Sequence, residues 1–242
     1  MRGRYHAVTF DLWNTIFREV ADAVVLERAR RVMGAVAGCG VHVSESAALD
    51  AVGAAWSVHR CMWGAGELCT ISRAAEVALD ALKVPASAGT VMPVANALQW
   101  MLPAEELDLT PDAIAVIGRL RANGLKIGLV SDTGFSPGGV LASRLCELDL
   151  TQYFSGLTFS DEVGCCKPDS RMFRHALSYL GARPEEVVHV GDLARNDIEG
   201  ARKAGFSTIR FTYWNNDRPS GPDADFVTDD LAAAAEWILA TD

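Results

Sequence analysis

No CxxC pair, no apolar run long enough to span a bilayer and no excess of positive charge occurs in this sequence. The six cysteines, Cys39, Cys61, Cys69, Cys146, Cys165 and Cys166, are scattered through apparent helices and loops. They read as reduced thiols of a cytosolic protein rather than a disulfide framework. A formal net charge of −9 argues against a nucleic-acid partner. It leaves room for a phosphorylated small molecule, because one cationic pocket can coexist with an acidic exterior. After MRGRYH the apolar stretch is short and broken by Asp11, so no secretion signal is read there. The expectation is a cytoplasmic protein with neither membrane nor nucleic acid as partner; the sequence carries no sign of an oligomeric state. Low-complexity tracts and internal repeats are also missing. What remains is a 242-residue chain, half hydrophobic, with ample material for a buried core.

The patterning divides the chain. YHAVTF (5–10) is a short apolar and aromatic run ending at an acid, as a buried strand would be. From about 22 to 102 the sequence becomes alanine-rich with helical spacing. ADAVVLERARRVMGAVAG, ESAALDAVGAAWSVHRCMW, TISRAAEVALDAL and VMPVANALQWML give four helices, the last with Pro93 suited to its first turn. Beyond residue 110, strands and helices alternate. KIGLVS (126–131), GLTFS (156–160), VVHVG (187–191), STIRF and a weaker DFVT are strands. The segments between them, including NDIEGARKAG, are helices, and DDLAAAAEWILA closes the chain. Alternation of this kind predicts an α/β fold with a parallel sheet covered on both faces. The first strand joins that sheet, so residues 1–17 and 104–242 form one unit and 18–103 an inserted, all-helical one.

Ligands of open parallel sheets bind beyond the carboxyl ends of the strands. Asp11 ends the first strand, Ser131 ends KIGLVS, Asp192 follows VVHVG, Asp197 lies five residues on, and Lys167 opens a KPD turn. Taken singly, each has an ordinary structural reading as a turn cap, a helix cap or a solvated charge. Together, a carboxylate nucleophile, a hydroxyl, a lysine and an acidic pair at one sheet edge make a phosphoryl-transfer site. A phosphate dianion approaches a carboxylate only when a metal and a cation offset the repulsion.

Here the chain resembles the haloacid dehalogenase-like hydrolase superfamily over nearly its whole length. FDLWNT is similar to the first motif, Asp-x-Asp-x-Thr after a strand. LVS (129–131) resembles the second, Lys167 in CKPD the third, and GDLARND (191–197) the fourth, in the family's order. The resemblance implies a Rossmann-like core, a mobile helical cap at 18–103 and a covalent aspartyl intermediate. Carried over, Asp11 is the nucleophile, Ser131 binds the transferred group, and Lys167 balances charge. Mg²⁺ is held by Asp11, Asp192, Asp197 and the backbone carbonyl of Trp13. Thr15, Asp132, His59 and Arg60 are the candidates for substrate contact.

The departure is Trp13, where phosphatases of the family carry the acid that protonates the leaving group. Indole can neither donate a proton at neutral pH nor activate water. Three readings follow: a Mg²⁺-dependent phosphatase with another proton source or a good leaving group; a metal-independent 2-haloacid dehalogenase, whose branch carries Tyr at this position; or a binding protein with weakened catalysis. Retention of Asp192 and Asp197 favours the first, since the dehalogenase branch replaces the metal-binding acid with small polar residues. WSVHRCMWGAGE (56–67) reads as a helix end and a flexible turn about where family caps present their specificity loop. His59, Arg60 and Asp132 are candidate substitutes for the missing acid, Trp56 and Trp63 read as packing residues of the helical unit, and Trp214 is given no role.

Overall fold

The computed structural model describes residues 4–217 and 223–240. Its strands are β1 (Ala7–Phe10), β2 (Phe17–Arg18), β3 (Asp108–Leu109), β4 (Lys126–Ser131), β5 (Phe154–Phe159), β6 (Val187–Gly191), β7 (Ser207–Phe211) and β8 (Phe226–Thr228). Six of them form a parallel sheet in the order β5-β4-β1-β6-β7-β8. The helices are α1 (Ala21–Ala37), α2 (Glu45–Gly64), α3 (Ile71–Ala81), α4 (Ala88–Leu98), α5 (Ala113–Ala122), α6 (Gly138–Glu147), α7 (Ser160–Val163), α8 (Ser170–Leu180), α9 (Gly200–Lys203) and α10 (Leu231–Leu239). None among the described residues is long and apolar enough to cross a membrane.

Side-chain alternation along the strands feeds both sheet faces. Val8, Phe10, Ile127, Leu129, Val188 and Val190 enter one cluster with α5 and α10. Ala7, Val130 and Val187 point the other way, to Met172, Phe173, Ala176 and Leu180 of α8. Burial on both faces explains why β1 and β6 are mostly apolar, with Thr9 and His189 paired to each other, whereas β8, at the sheet's edge, is only partly buried.

Helices α1–α4 pack around a separate cluster rich in small residues, among them Ala48, Ala51, Ala55, Ala74 and Ala78. The helix expected over 91–102 begins earlier and ends earlier. Ser87 and Thr90 form a capping box at its start, which moves Pro93 from the first turn to the second. Pro93 has no N–H for the Gly89 carbonyl, and the Cys39 thiol donates to that oxygen instead at 3.3 Å. The expected helix NDIEGARKAG also differs: a wide π-helical turn, Ala194–Glu199, precedes the short α9.

The antiparallel ribbon β2–β3 has no counterpart in the sequence reading, because two residues per strand give no periodic signal. It stands where the chain enters and leaves the helical unit. Arg18 bridges to Asp108 at 3.1 Å and lies over the Trp214 ring at 3.9 Å, while the Trp214 indole donates to Thr110 at 2.8 Å. Trp214 thus braces the ribbon.

A loop residue crosses between the two packing units. Phe135 belongs to the loop after β4, yet its ring is buried within the α1–α4 cluster. Trp56 and His59 of α2 meet it edge-on at 5.1 and 5.4 Å between centroids, and the Arg28 guanidinium lies 5.5 Å from its centre. Phe135→Ala is therefore expected to lower stability by about 3–5 kcal/mol, read as a drop in the urea midpoint. An unchanged midpoint would show that the ring contributes nothing to docking the helices.

Candidate active site

Because β1 lies between β4 and β6, the chain segments leaving their carboxyl ends converge. Asp11 follows β1 and its amide still bonds the Val190 carbonyl at 2.8 Å, which keeps it level with the end of β6. The chain then turns tightly: the Leu12 carbonyl accepts from Thr15, Ile16 and Phe17, and Asn14 takes a left-handed conformation with φ 56°. Asp192 lies immediately beyond β6. Asp197 reaches back from the π-helical turn, held by the Leu193 amide at 2.9 Å. Gly191 permits that approach, since a Cβ there would stand 2.4 Å from the Asp197 carboxyl carbon.

Lys167 is the hub of the site. Its ammonium donates to Asp11 Oδ1, to Asp197 Oδ1 at 2.6 Å and to the Val130 carbonyl at 3.2 Å, all out of solvent. Burial would lower the lysine's pKa, but Asp11 and Asp197 outweigh it and hold it above the ordinary value, so the charge persists. Burial pushes Asp197 upward too; there Lys167 and His189 prevail and keep the carboxyl below its usual range. Burial disfavours the His189 cation and lowers its pKa, against the pull of Asp197. Its Nε2 meets Asp197 at 3.2 Å and its Nδ1 meets the Thr9 hydroxyl at 2.9 Å.

The carboxylates outnumber the cation. Oxygens of Asp11, Asp192 and Asp197 lie within 4.8 Å of one another. With all three ionised and Lys167 charged, the buried cluster carries two surplus negative charges. The strain shows in the carboxyls themselves. Burial and the neighbouring acids raise Asp11 well above its ordinary value despite Lys167, and burial with Asp197 pushes Asp192 up to about 7. A hard divalent cation fits this donor set in charge and chemistry. Asp197 already accepts from Lys167, His189 and Leu193, leaving Asp11 and Asp192 as the better direct ligands. Asn215 steadies Asp192 at 3.1 Å.

Asp132 joins the two packing units. Asp132 Oδ1 accepts the Lys167 amide at 2.9 Å, and its Oδ2 accepts the Trp63 indole at 2.7 Å. Its carbonyl accepts the Trp13 indole and the Ser131 hydroxyl, each at 3.0 Å. Ser131 is fully buried and does not form part of the cavity wall described next. Thr15 is likewise beneath the site, with its hydroxyl 3.5 Å from Asp11 Oδ2. It lies against the carboxylate and, unlike the position expected for a substrate contact, does not border the cavity.

A cavity of about 420 Å³ extends from Asp11, Lys167 and Asp192 to α1 and α2. His59 and Arg60 both border it. His59 is buried, its Nδ1 finds no partner among the described residues, and burial followed by the charge of Arg28 lowers its pKa to about 4. Arg60 is exposed at the rim. Trp56 and Trp63, expected to pack inside the helical unit, instead face the cavity. Arg28 was missed. It is buried in the wall, bonded to the Trp100 carbonyl at 2.9 Å and to Ser136 at 3.2 Å. Its signal was present, because it interrupts the apolar row Val24-Arg28-Val32 at helical spacing.

A family model described as haloacid dehalogenase-like hydrolase matches residues 5–205. A relative from Methanopyrus kandleri, a glyceraldehyde 3-phosphate phosphatase, is 36% identical over 103 residues, or 41% of this chain and 42% of the relative. The chain matches less than half the length of the curated relatives of this group. In structure it is similar to a HAD phosphatase from Thermococcus onnurineus, with a TM-score of 0.69 and 22% identity over 96% of both chains. It is similar also to the L-2-haloacid dehalogenase of Xanthobacter autotrophicus, with a TM-score of 0.60 and 18% identity over 97% of this chain and 98% of that one. At those identities the structures speak for the fold alone. The extent of the family match, together with the sheet topology and the four converging motifs, makes this chain a member of the haloacid dehalogenase-like hydrolases.

Proposed function

We propose that the protein is a Mg²⁺-dependent phosphatase of a small phosphorylated metabolite, working through an aspartyl phosphate at Asp11. The observation that carries this reading is the surplus negative charge of the Asp11–Asp192–Asp197 cluster around Lys167. A metal-independent dehalogenase has no use for it. The phosphatase relative matched in sequence agrees.

Asp11 attacks phosphorus while Lys167 offsets charge on the carboxylate and the phosphoryl oxygens. Asp192, Asp11 and the Trp13 backbone carbonyl are the proposed ligands of Mg²⁺, with Asp197 orienting the set. When bound, the ion supplies Lewis-acid neutralisation of the phosphate's charge. Ser131 is proposed to hold the transferred group once its hydroxyl turns from the Asp132 carbonyl. Residues 18–103 act as a cap over the core formed by 1–17 and 104–242, hinged near the β2–β3 ribbon, and exclude water during transfer. The six free thiols suit the cytoplasmic location we propose.

Asp192→Asn should weaken Mg²⁺ binding at least by the roughly 10–100-fold that loss of an outer-shell partner costs, as measured by calorimetry on both proteins. A wild type that binds no Mg²⁺ and releases chloride from 2-chloropropionate would make the protein a dehalogenase. Asp11→Asn should abolish turnover, because an amide does not attack phosphorus at a useful rate; substantial residual activity would remove the covalent route. Without an acid at position 13, alkyl phosphates should lag by about 10²–10⁴-fold, and Trp13→Asp should recover part of that deficit. The indole packs edge-on against Phe17 at 5.5 Å, so folding of the variant is verified first by thermal melting. A folded variant with no gain would mean that another group already donates the proton.

A further inference from the structure

The structure assigns the leaving group as well: resting on the phosphatase reading above, we propose that the substrate is an aryl phosphate whose uncharged ring lodges against Trp56 and Phe135. Two independent features lead there, one from proton chemistry and one from the shape and charge of the wall.

The groups bordering the leaving-group side are poorly placed to donate a proton. Trp13 has none to give near neutrality. Asp132 is tied up structurally, its Oδ1 by the Lys167 amide and its Oδ2 by the Trp63 indole. His59 is neutral at physiological pH, with its pKa lowered to about 4 by burial and then by Arg28. Burial raises Glu19, yet its Oε1 accepts the Leu102 amide at 3.2 Å and the fields of Arg28 and Arg144 favour the carboxylate. A leaving oxygen that departs as a stabilised anion suits such a wall, and an alkoxide does not.

The wall itself is aromatic and close to charge balance. The His59 ring stacks on Trp56 at 4.9 Å and 19°, and Phe135 closes edge-on against both. Trp56 nevertheless remains 39% exposed, an open indole surface bordering the cavity, with Val52 beside it. Two wall arginines are already engaged: Arg18 with Asp108, and Arg28 with the Trp100 carbonyl, Ser136 and the nearby Glu19. Arg60 borders the cavity at its exposed rim, so the inner wall beside Trp56 better suits a neutral ring. A volume of about 420 Å³ accommodates a one- or two-ring group with the phosphate at Asp11.

The reaction balances without a further reagent. An Asp11 oxygen bonds to phosphorus, the bond from phosphorus to the aryl oxygen breaks, and the electron pair leaves on the aryl oxide, which takes a proton from solvent. Water then cleaves the aspartyl phosphate, returning the carboxylate and releasing inorganic phosphate.

The test compares kcat/KM with Mg²⁺ for 1-naphthyl phosphate, acetyl phosphate and glycerol 3-phosphate. Acetate departs without protonation but has no ring, so it separates ring binding from leaving-group quality. The wild type should favour the naphthyl ester over glycerol 3-phosphate by about 10²–10⁴-fold. In Trp56→Leu the ratio of naphthyl to acetyl phosphate should fall about tenfold, mainly through KM, and Trp56→Phe should restore it. For a wild-type readout that needs no variant to fold, phenylphosphonate should inhibit more tightly than methylphosphonate. Equal use of alkyl and aryl esters, an unchanged ratio in folded Trp56→Leu, or equal inhibition by the two phosphonates would overturn the aryl assignment and leave the phosphatase reading standing. No turnover of any of the three phosphates would overturn both.

Discussion

An ammonium buried between two carboxylates organises this molecule. Lys167 reaches Asp11 at the end of the first strand and Asp197 in the turn after β6, and binds the Val130 carbonyl of β4 as well. Three neighbouring strand ends are thus fastened by one side chain. In water such a pair would stabilise little. Here desolvation makes either partner costly to leave alone, and removing one member of a buried pair typically costs about 3–5 kcal/mol. The interaction fixes geometry before any substrate arrives. It is also incomplete, because one cation cannot neutralise Asp11, Asp192 and Asp197 together.

Other features serve that constraint. Gly191 has no side chain because Asp197 occupies the space a Cβ would need. The π-helical turn brings Asp197 back toward the strand, and the Thr9–His189 pair holds it there. Asp132 extends the arrangement to the helical unit through Trp63, while Arg195 donates to the Gly64 carbonyl at 2.6 Å. Phe135 adds a hydrophobic anchor. Any displacement of α1–α4 would therefore have to carry or release the loop bearing Phe135 as well as the chain crossings near β2 and β3.

Much of this was legible in the sequence, for identifiable reasons. Asp11, Asp192 and Lys167 stand beside apolar strand runs or a turn signal, so their convergence followed from the rules of parallel sheets. The alanine-rich spacing of 22–102 marked four helices. What escaped depends on contacts distant in sequence. Phe135 drew no reading, because nothing local says that its ring enters another unit's cluster. Trp56 and Trp63 looked like packing residues, because helical spacing does not tell a cavity wall from a core. Pro93 was placed in a first turn on propensity, while the Ser87–Thr90 box three residues upstream set the true start. Thr15 was assigned to substrate by motif, and its burial beneath Asp11 became apparent only in the folded chain.

The central claim is that the charge left over around Lys167 receives a divalent cation and a phosphoryl group at Asp11. A crystal structure of the wild type grown with Mg²⁺ and beryllium fluoride tests it most directly. A fluoroberyllate bonded to the Asp11 carboxylate is expected, with Mg²⁺ held by Asp11, Asp192 and the Trp13 carbonyl. Lys167 should remain between Asp11 and Asp197. An unmodified Asp11, or a cation bound away from all three carboxylates, would contradict it.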